Sequence, residues 1–168
     1  MTAVSSRRPG PGTPAVPKVG DTIPPLERRI GLPDMVAYAG ATWDWYQSHY
    51  DPDYVAAKKL PGPIVDGQVF GALLVEMLQD WLGPQCFVQS IDFTFRNLMF
   101  AGESVRCEGE VSAVHVGSAD GAVTEDPSYV DVTMTVTTLG TDGRDDRFAV
   151  KPASARVLLG RADGTGRP

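Results

Sequence analysis

The chain has 168 residues, a formal net charge of −6 and a sequence pI of about 4.8. Its length and its 42% hydrophobic residues fit one domain with one core and loose ends. The acidic balance argues against nucleic acids and anionic membranes as partners, because both are negatively charged, and it gives no long-range attraction toward an acidic carrier protein.

Residues 1–19 are rich in Ser, Pro, Gly and Arg and lack hydrophobic periodicity, so we predict a disordered tail. This tail has no apolar core of a secretory signal, and no 18-residue apolar run predicts a transmembrane helix. Cys86 and Cys107 have no CxxC or Cys/His cluster around them, which favours free buried thiols over a disulfide or a metal site. We therefore expect a cytoplasmic protein.

The first predicted elements are a strand and two helices. Residues 21–29 contain two prolines and predict a short edge strand or an extended entry segment. Leu32-Pro33-Asp34 begins a helix, with proline in the first turn and an acid that the helix dipole favours. Asp51 as N-cap and Pro52 at the first helical position begin a second helix, which runs to Lys59.

The most strongly patterned segment is a long helix over residues 69–81. Asp66 can cap it, and Gly83-Pro84 ends it. Large apolar residues recur along it at helical period: Val69, Phe70, Leu73, Leu74, Met77, Leu78 and Trp81. Such a helix lies in a core, and the rest of the domain must cover it.

The remainder alternates with a period of two, which predicts strands near residues 90–96, 105–111, 130–137 and 148–157. Pro152 is predicted to bend or bulge the last strand. The connections are 97–103, 117–127 and 140–146, and residues 160–168 form a flexible polar tail. Residues 20–159 are thus predicted to be one α+β domain, an antiparallel sheet wrapped around one long central helix.

The segment Asp44-Trp45-Tyr46-Gln47-Ser48-His49 lies between the first two predicted helices, and Gly67 stands at the start of the long one. This order of elements resembles a single hot-dog domain of the MaoC-like (R)-specific enoyl-thioester hydratases and dehydratases, over about residues 19–158. Asp44 and His49 match the outer positions of the family motif Asp-x-Asn-Pro-x-His. Tyr46 and Gln47 replace its Asn and Pro, and Asp66 stands where the family usually has a histidine.

The resemblance implies a hydro-lyase that adds or removes water at the 2,3 position of an acyl thioester. Asp44 and His49 would be its acid/base pair, and the N–H of Gly67 would bind the thioester oxygen. No metal and no cofactor is implied beyond the coenzyme A or carrier protein that is part of the substrate. Other residues are predicted to contact substrate: Trp43, Trp45, Tyr46, Asp66 and Arg96. The ionised Asp66 opposes charge on the thioester oxygen, so we expect its carboxylate to turn into the capping bond.

Each assignment has a structural alternative. Asp44 can simply end the first helix, the aromatic residues can pack, and Lys58, Lys59 and Arg96 can be solvated charges rather than contacts to a coenzyme A phosphate. His115, the only other histidine, is interpreted as structural. Asp51 and Asp53 fit first-turn capping better than a metal pair.

Two other functions compete with the hydro-lyase. One is a non-catalytic hot-dog subunit that completes the site of an active partner, which the altered residues 46, 47 and 66 favour slightly. The other is a hot-dog thioesterase, but that class places its carboxylate on the central helix, where Glu76 and Asp80 lie too far along. A lone sheet leaves an open edge, so we expect a homodimer or a heteromer with another hot-dog chain. The acyl group and the assignment of the base stay open.

Overall fold

The computed structural model describes residues 17–116, 128–141 and 143–159. Both predicted tails fall largely outside these residues, as does the predicted connection 117–127. The elements, in chain order, are β1 Thr22–Arg29, α1 Leu32–Thr42, a short 3₁₀ turn Gln47–His49, α2 Pro52–Ala57, α3 Gln68–Leu82, β2 Phe87–Phe95, β3 Ser104–His115, β4 Tyr129–Leu139 and β5 Arg147–Leu158.

The five strands form one antiparallel sheet in the order β1-β3-β4-β5-β2. The two edges are therefore β1, which was predicted as an edge strand, and β2. Along β4, buried Val130, Val132, Met134 and Val136 alternate with residues that face outward, which is the period of a sheet with one covered face.

The covering element is α3, as its pattern predicted. Its buried side chains lie on one helical face that packs on the sheet: Val69, Phe70, Leu73, Leu74, Met77, Leu78 and Leu82. Trp81 packs at the border of this core and is only partly buried. The fold is the predicted hot-dog arrangement, a sheet curled around one helix.

Small differences from the predicted elements have local causes. β3 extends to His115 because its pairing with β4 continues to Tyr129. α2 ends at Ala57, two residues early, because Lys59 takes a left-handed conformation with φ of 58°. The predicted irregularity at Pro152 is confirmed, since the registers of β4 and β2 against β5 both shift between Val150 and Ala153.

Helix starts follow the predicted capping chemistry. Asp51 accepts hydrogen bonds from the amides of Asp53 and Tyr54, at 3.0 and 3.1 Å, and so caps α2. At α1, the carboxylate of Asp34 accepts from the amide of Gly31, at 2.8 Å. No helix in the described part of the chain is long and apolar enough to cross a membrane.

Candidate active site

His49 is positioned by the extended segment that leads into α3. The amide of Ile64 donates to the carbonyl of Ser48, at 2.9 Å, and the Nδ1 of His49 lies 2.7 Å from the carbonyl oxygen of Ile64. A carbonyl can only accept, so Nδ1 carries the hydrogen. In the neutral ring, Nε2 is then the unprotonated nitrogen and is able to take a proton.

Asp44 follows directly after α1. The helix ends at Thr42. Trp43 caps it with a left-handed backbone, φ of 62°, and this turns the chain so that Asp44 leaves the helix axis. One carboxylate oxygen of Asp44 accepts the amide of Tyr46, at 3.1 Å, which fixes the side chain in a local turn. Asp44 is exposed in the single chain, so its carboxylate is open to solvent or to a bound molecule.

The start of α3 supplies a third polar group and free amides. The Oδ1 of Asp66 accepts the amide of Gln68, at 2.9 Å, so the predicted capping bond is present. The amides of Asp66 and Gly67 donate to no acceptor among the residues that the structure describes. Two adjacent free N–H groups at a helix N-terminus are suited to binding a partly negative oxygen.

The structure brings Asp44, His49 and Asp66 together. One polar atom from each of these side chains lies within 4.8 Å of the other two. The carboxylate of Asp66 therefore caps α3, as expected, and it also lies beside Asp44 and His49, which the sequence did not predict. Nearby, burial raises the pKa of Tyr38, and the negative charge of Asp66 raises it further.

A carboxylate pair and an imidazole are also ligands that divalent metals accept. Nothing else in the described structure points to a metal at this cluster, and the prediction of a metal-free site stays a prediction. Asp51 and Asp53, the other acidic pair weighed from the sequence, serve α2 as cap and first-turn acid.

Aromatic side chains surround the acid/base pair. The ring of Tyr46 lies 5.9 Å from that of His49, and its hydroxyl is 3.2 Å from the hydroxyl of Tyr54. Trp43 and Trp45 meet edge to face, with centroids 6.2 Å apart, and their exposed fractions are 81% and 43%. Large exposed rings beside a polar cluster offer apolar area to a ligand or to a partner chain.

Arg96, predicted to contact substrate, is held elsewhere. Its Nε donates to the carbonyl of Lys151 and its amide donates to the carbonyl of Ala149, so it fastens the end of β2 to β5. No hydrogen bond joins it to the cluster among the described residues. Lys58 lies over the ring of Tyr54, 5.6 Å from its centroid.

Phe95 is a neighbour of the site that the sequence did not point to. A Cβ placed on Gly67 would lie 2.6 Å from the Cζ of Phe95, so the absent side chain makes room for this ring. Phe93 packs on Gly71 in the same way, one helical turn further on. Two glycines four residues apart opposite alternate phenylalanines were the available signal.

Three other residues have the structural roles predicted for them. Cys86 and Cys107 are free and buried, and burial raises the pKa of Cys107 to about 12, so its thiolate is absent at neutral pH. The Nε2 of His115 lies 3.3 Å from a carboxylate oxygen of Asp131, and its ring stacks on Tyr129. His115 therefore belongs to the sheet surface.

Fold and site together define a class. A sheet wrapped around one helix, with an Asp/His pair at the helix start, is the arrangement of the hot-dog hydratases and dehydratases described above. The family model of the MaoC-like domain matches residues 16–133. The match covers more than half of the chain, and the chain belongs to the MaoC-like domain family.

Two characterised relatives are similar over part of the chain. The (R)-specific enoyl-CoA hydratase of Aeromonas caviae is 29% identical over 90 residues, which are 53% of this chain and 67% of that protein. The 3-oxo-4,17-pregnadiene-20-carboxyl-CoA hydratase beta subunit of Mycobacterium tuberculosis is 29% identical over 99 residues, which are 59% of this chain and 77% of that protein.

Solved structures agree on the fold. The (R)-hydratase from A. caviae involved in PHA biosynthesis has a TM-score of 0.70 and 26% identity, over 84% of this chain and 96% of that one. The ChsH1-ChsH2 complex from M. tuberculosis has a TM-score of 0.68 and 24% identity, over 86% of this chain and 98% of the matched one. At that identity the second likeness concerns the fold alone.

Proposed function

We propose that this chain is a hydro-lyase of the (R)-specific enoyl-thioester hydratase and dehydratase type. The observation that carries the proposal is the approach of Asp44 and His49 to within 4.8 Å, beside the free amide of Gly67. The 29% identity to an (R)-specific enoyl-CoA hydratase supports it. The substrate is an acyl thioester, with coenzyme A or a carrier protein as its thiol part.

The reaction needs two proton transfers. In hydration, the water oxygen forms a bond to C3, the water gives one proton to a base, the 2,3 π electrons move toward C2, and C2 takes a proton from an acid. Two side chains that flank one water are able to do both transfers. His49 accepts at Nε2 when neutral and donates from the same atom once protonated, so it serves either direction.

Between the two transfers, the thioester oxygen carries enolate-like negative charge. The free amides of Asp66 and Gly67 at the start of α3 are the donors that meet it, assisted by the positive end of the helix dipole. One such fixed donor contributes about 3 kcal/mol to the transition state. Trp43, Trp45 and Tyr46 would wall the acyl group. Arg96 is the weakest predicted contact, since its Nε is already used.

The partner we propose is a second hot-dog chain. β2 is an edge strand that pairs with β5 on one side only, and its terminal residues Phe87 and Phe95 are 58% and 51% exposed. A relative is the beta subunit of a hydratase, and the ChsH1-ChsH2 neighbour is a complex of two chains. A homodimer and a heteromer both fit, in a cytoplasmic setting.

An alternative function is a non-catalytic subunit that completes a partner's site. The similarity to a hydratase beta subunit favours it. It differs from the first proposal in one respect, because a non-catalytic chain does not need its own Asp44 and His49.

The test is an assay of the purified chain with crotonyl-CoA and longer 2-enoyl-CoA thioesters. We expect turnover that falls by about 10²- to 10⁴-fold in Asp44→Asn and in His49→Asn. In the second variant, the asparagine amide replaces the Nδ1–H donor to Ile64 and removes Nε2. His115→Asn is the matched control and should keep full activity.

The alternative would be established by two results together. The chain alone shows no turnover, and adding a second hot-dog chain restores turnover whether or not Asp44 and His49 are intact. A chain that is silent in both settings, with every variant folded by circular dichroism, would contradict both proposals.

A further inference from the structure

We infer that Asp66 is a third catalytic residue, which binds the reacting water between Asp44 and His49. In the reverse direction it binds the 3-hydroxyl of a 3-hydroxyacyl thioester. The inference rests on the proposed function and deepens it. It differs from the predicted substrate contact at Asp66, because it assigns the carboxylate to the oxygen that is added or removed.

The spacing of the three groups fits one shared water. Two acceptors, each about 2.8 Å from a water oxygen and at a roughly tetrahedral angle, lie about 4.6 Å apart. The polar atoms of Asp44, His49 and Asp66 lie within 4.8 Å of one another in all three pairs. A single water therefore has room to lie among the three side chains and to donate its two hydrogens at ordinary hydrogen-bond length, one to Asp66 and one to the base of the pair.

The carboxylate of Asp66 is held in place but is not used up. Its Oδ1 accepts one hydrogen bond, from the amide of Gln68. An ionised carboxylate has about four acceptor positions, so capacity remains for a further donor. Asp66 is half-buried and forms no ion pair with any residue in the described part of the chain.

Capping by itself does not require this residue. Serine or asparagine accepts the same amide of Gln68 about as well as aspartate does. A carboxylate also places a negative charge beside the two amides that are to bind the thioester oxygen, which opposes the charge that develops there. An acidic side chain at this position is therefore explained better by an added task than by the helix start.

The added task is to orient the water. Of its two hydrogens, one points to Asp66 and the other to the base. During addition, the proton facing the base leaves, while the hydrogen facing Asp66 stays on the oxygen and becomes the hydrogen of the new 3-hydroxyl. A lone pair of the oxygen then faces C3 and forms the C–O bond. Dehydration reverses each of these movements.

The experiment compares Asp66→Asn and Asp66→Ser with the wild-type chain in crotonyl-CoA hydration, with the partner chain present if the assay requires it. Asparagine keeps the capping oxygen but turns an N–H donor toward the water, and serine keeps the cap but is too short to reach it. We expect kcat to fall about 10- to 100-fold in both variants, the loss for one hydrogen bond to a charged group. The KM for the enoyl substrate should stay within about twofold, because that substrate lacks the hydroxyl.

The matched control is Asp51→Asn, the same substitution at the N-cap of α2, which should leave kcat and KM unchanged. Kinetics are measured where circular dichroism shows every variant folded. If the wild-type chain is active and both Asp66→Asn and Asp66→Ser keep full kcat, then Asp66 only caps α3. A raised KM with unchanged kcat would assign it to substrate binding, and either result overturns the inference. A wild-type chain without hydratase activity would instead contradict the proposed function itself.

Discussion

At the residue scale, one hydrogen bond holds His49 in place. The bond between Nδ1 of His49 and the carbonyl of Ile64 fixes the imidazole tautomer, and Ile64 stands two residues before Asp66. The same segment is held from its other side, where the amide of Val65 donates to the carbonyl of Met99, at 2.8 Å. The approach of Asp66 to His49 is therefore set by backbone pairing and not by the side chains alone.

Glu103 secures the turn that carries Met99. Its carboxylate accepts the amide of Phe100, at 2.8 Å, and Nη2 of Arg147, at 2.6 Å, and its side chain is only 13% exposed. Burial by itself would raise the pKa of Glu103, but the hydrogen bonds from Arg147 and Phe100, together with the nearby guanidinium charges, hold it below its usual range.

The lowered pKa of Glu103 predicts acid-sensitive stability. A depressed pKa in the folded chain stabilises it above the unfolded pKa of about 4.3, and this stability is lost as pH falls through the folded value. We expect Glu103→Gln to lower the free energy of unfolding by about 2 kcal/mol near pH 7, and the difference to shrink toward about pH 3. Urea unfolding at both pH values measures it.

The control for this prediction is Glu110→Gln on β3, since Glu110 is exposed and forms no ion pair with the described residues. It should change stability little at either pH. A Glu103→Gln chain whose deficit is the same at both pH values would contradict the assignment of the carboxylate charge to this network.

At the element scale, the important contact joins β2 to the start of α3. The ring of Phe95 packs against Gly67 and the ring of Phe93 packs against Gly71. The centroids of the two rings are 5.5 Å apart. The same end of α3 offers the free amides of the proposed oxyanion site. A shift of β2 therefore changes the packing of the helix and the wall of the site together.

Substituting Gly67→Ala should expose this coupling. The new Cβ would lie 2.6 Å from the ring of Phe95, which must move, and overpacking of this kind costs about 1–3 kcal/mol. Because Phe95 is half exposed, we expect the ring to yield and the chain to stay folded, with reduced kcat/KM. In a Phe95→Ala background, the loss of unfolding free energy caused by Gly67→Ala should be smaller by about 1 kcal/mol or more. The measurement is the unfolding of the wild type, the two single variants and the double variant.

Gly62→Ala is the matched control, since a Cβ there has nothing within 4 Å. If the effects of Gly67→Ala and Phe95→Ala on stability are additive, the contact with the Phe95 ring is not the reason that position 67 requires glycine.

At the scale of the whole molecule, the single chain has an open edge. β1 and β2 end the sheet, and most of the exposed aromatic residues lie on β2 or in the loop after α1. An exposed edge strand with bulky apolar side chains favours pairing with another chain.

We expect the purified chain, or its complex with a second hot-dog chain, to elute as more than the 18.0 kDa monomer. Phe87→Glu on β2 should shift it to the monomer while circular dichroism stays unchanged, because a charge on a paired edge must be desolvated. Light scattering after size exclusion measures the mass. Val19 is 66% exposed and lies beside the opposite edge, so Val19→Glu should keep the assembly. Dissociation by both variants would contradict the choice of β2.

The sequence by itself determined the elements and singled out most of the candidate site. Helical and strand periodicity depend on neighbours a few residues apart, so α3 and the alternation of β4 were predictable, as was the capping by Asp51. The family motif singled out Asp44 and His49 because they lie five residues apart in one short segment. Each of these features is local in the chain.

Only the tertiary structure decided what lies across the site. Asp66 lies near His49 because Ile64, two residues earlier, pairs with the backbone of Ser48, and Phe95 covers Gly67 because β2 packs on α3. These contacts join residues separated by many positions, so no pattern within one segment is enough to fix them. Their geometry follows from closing the sheet around the helix, which turned a capping aspartate toward the acid/base pair.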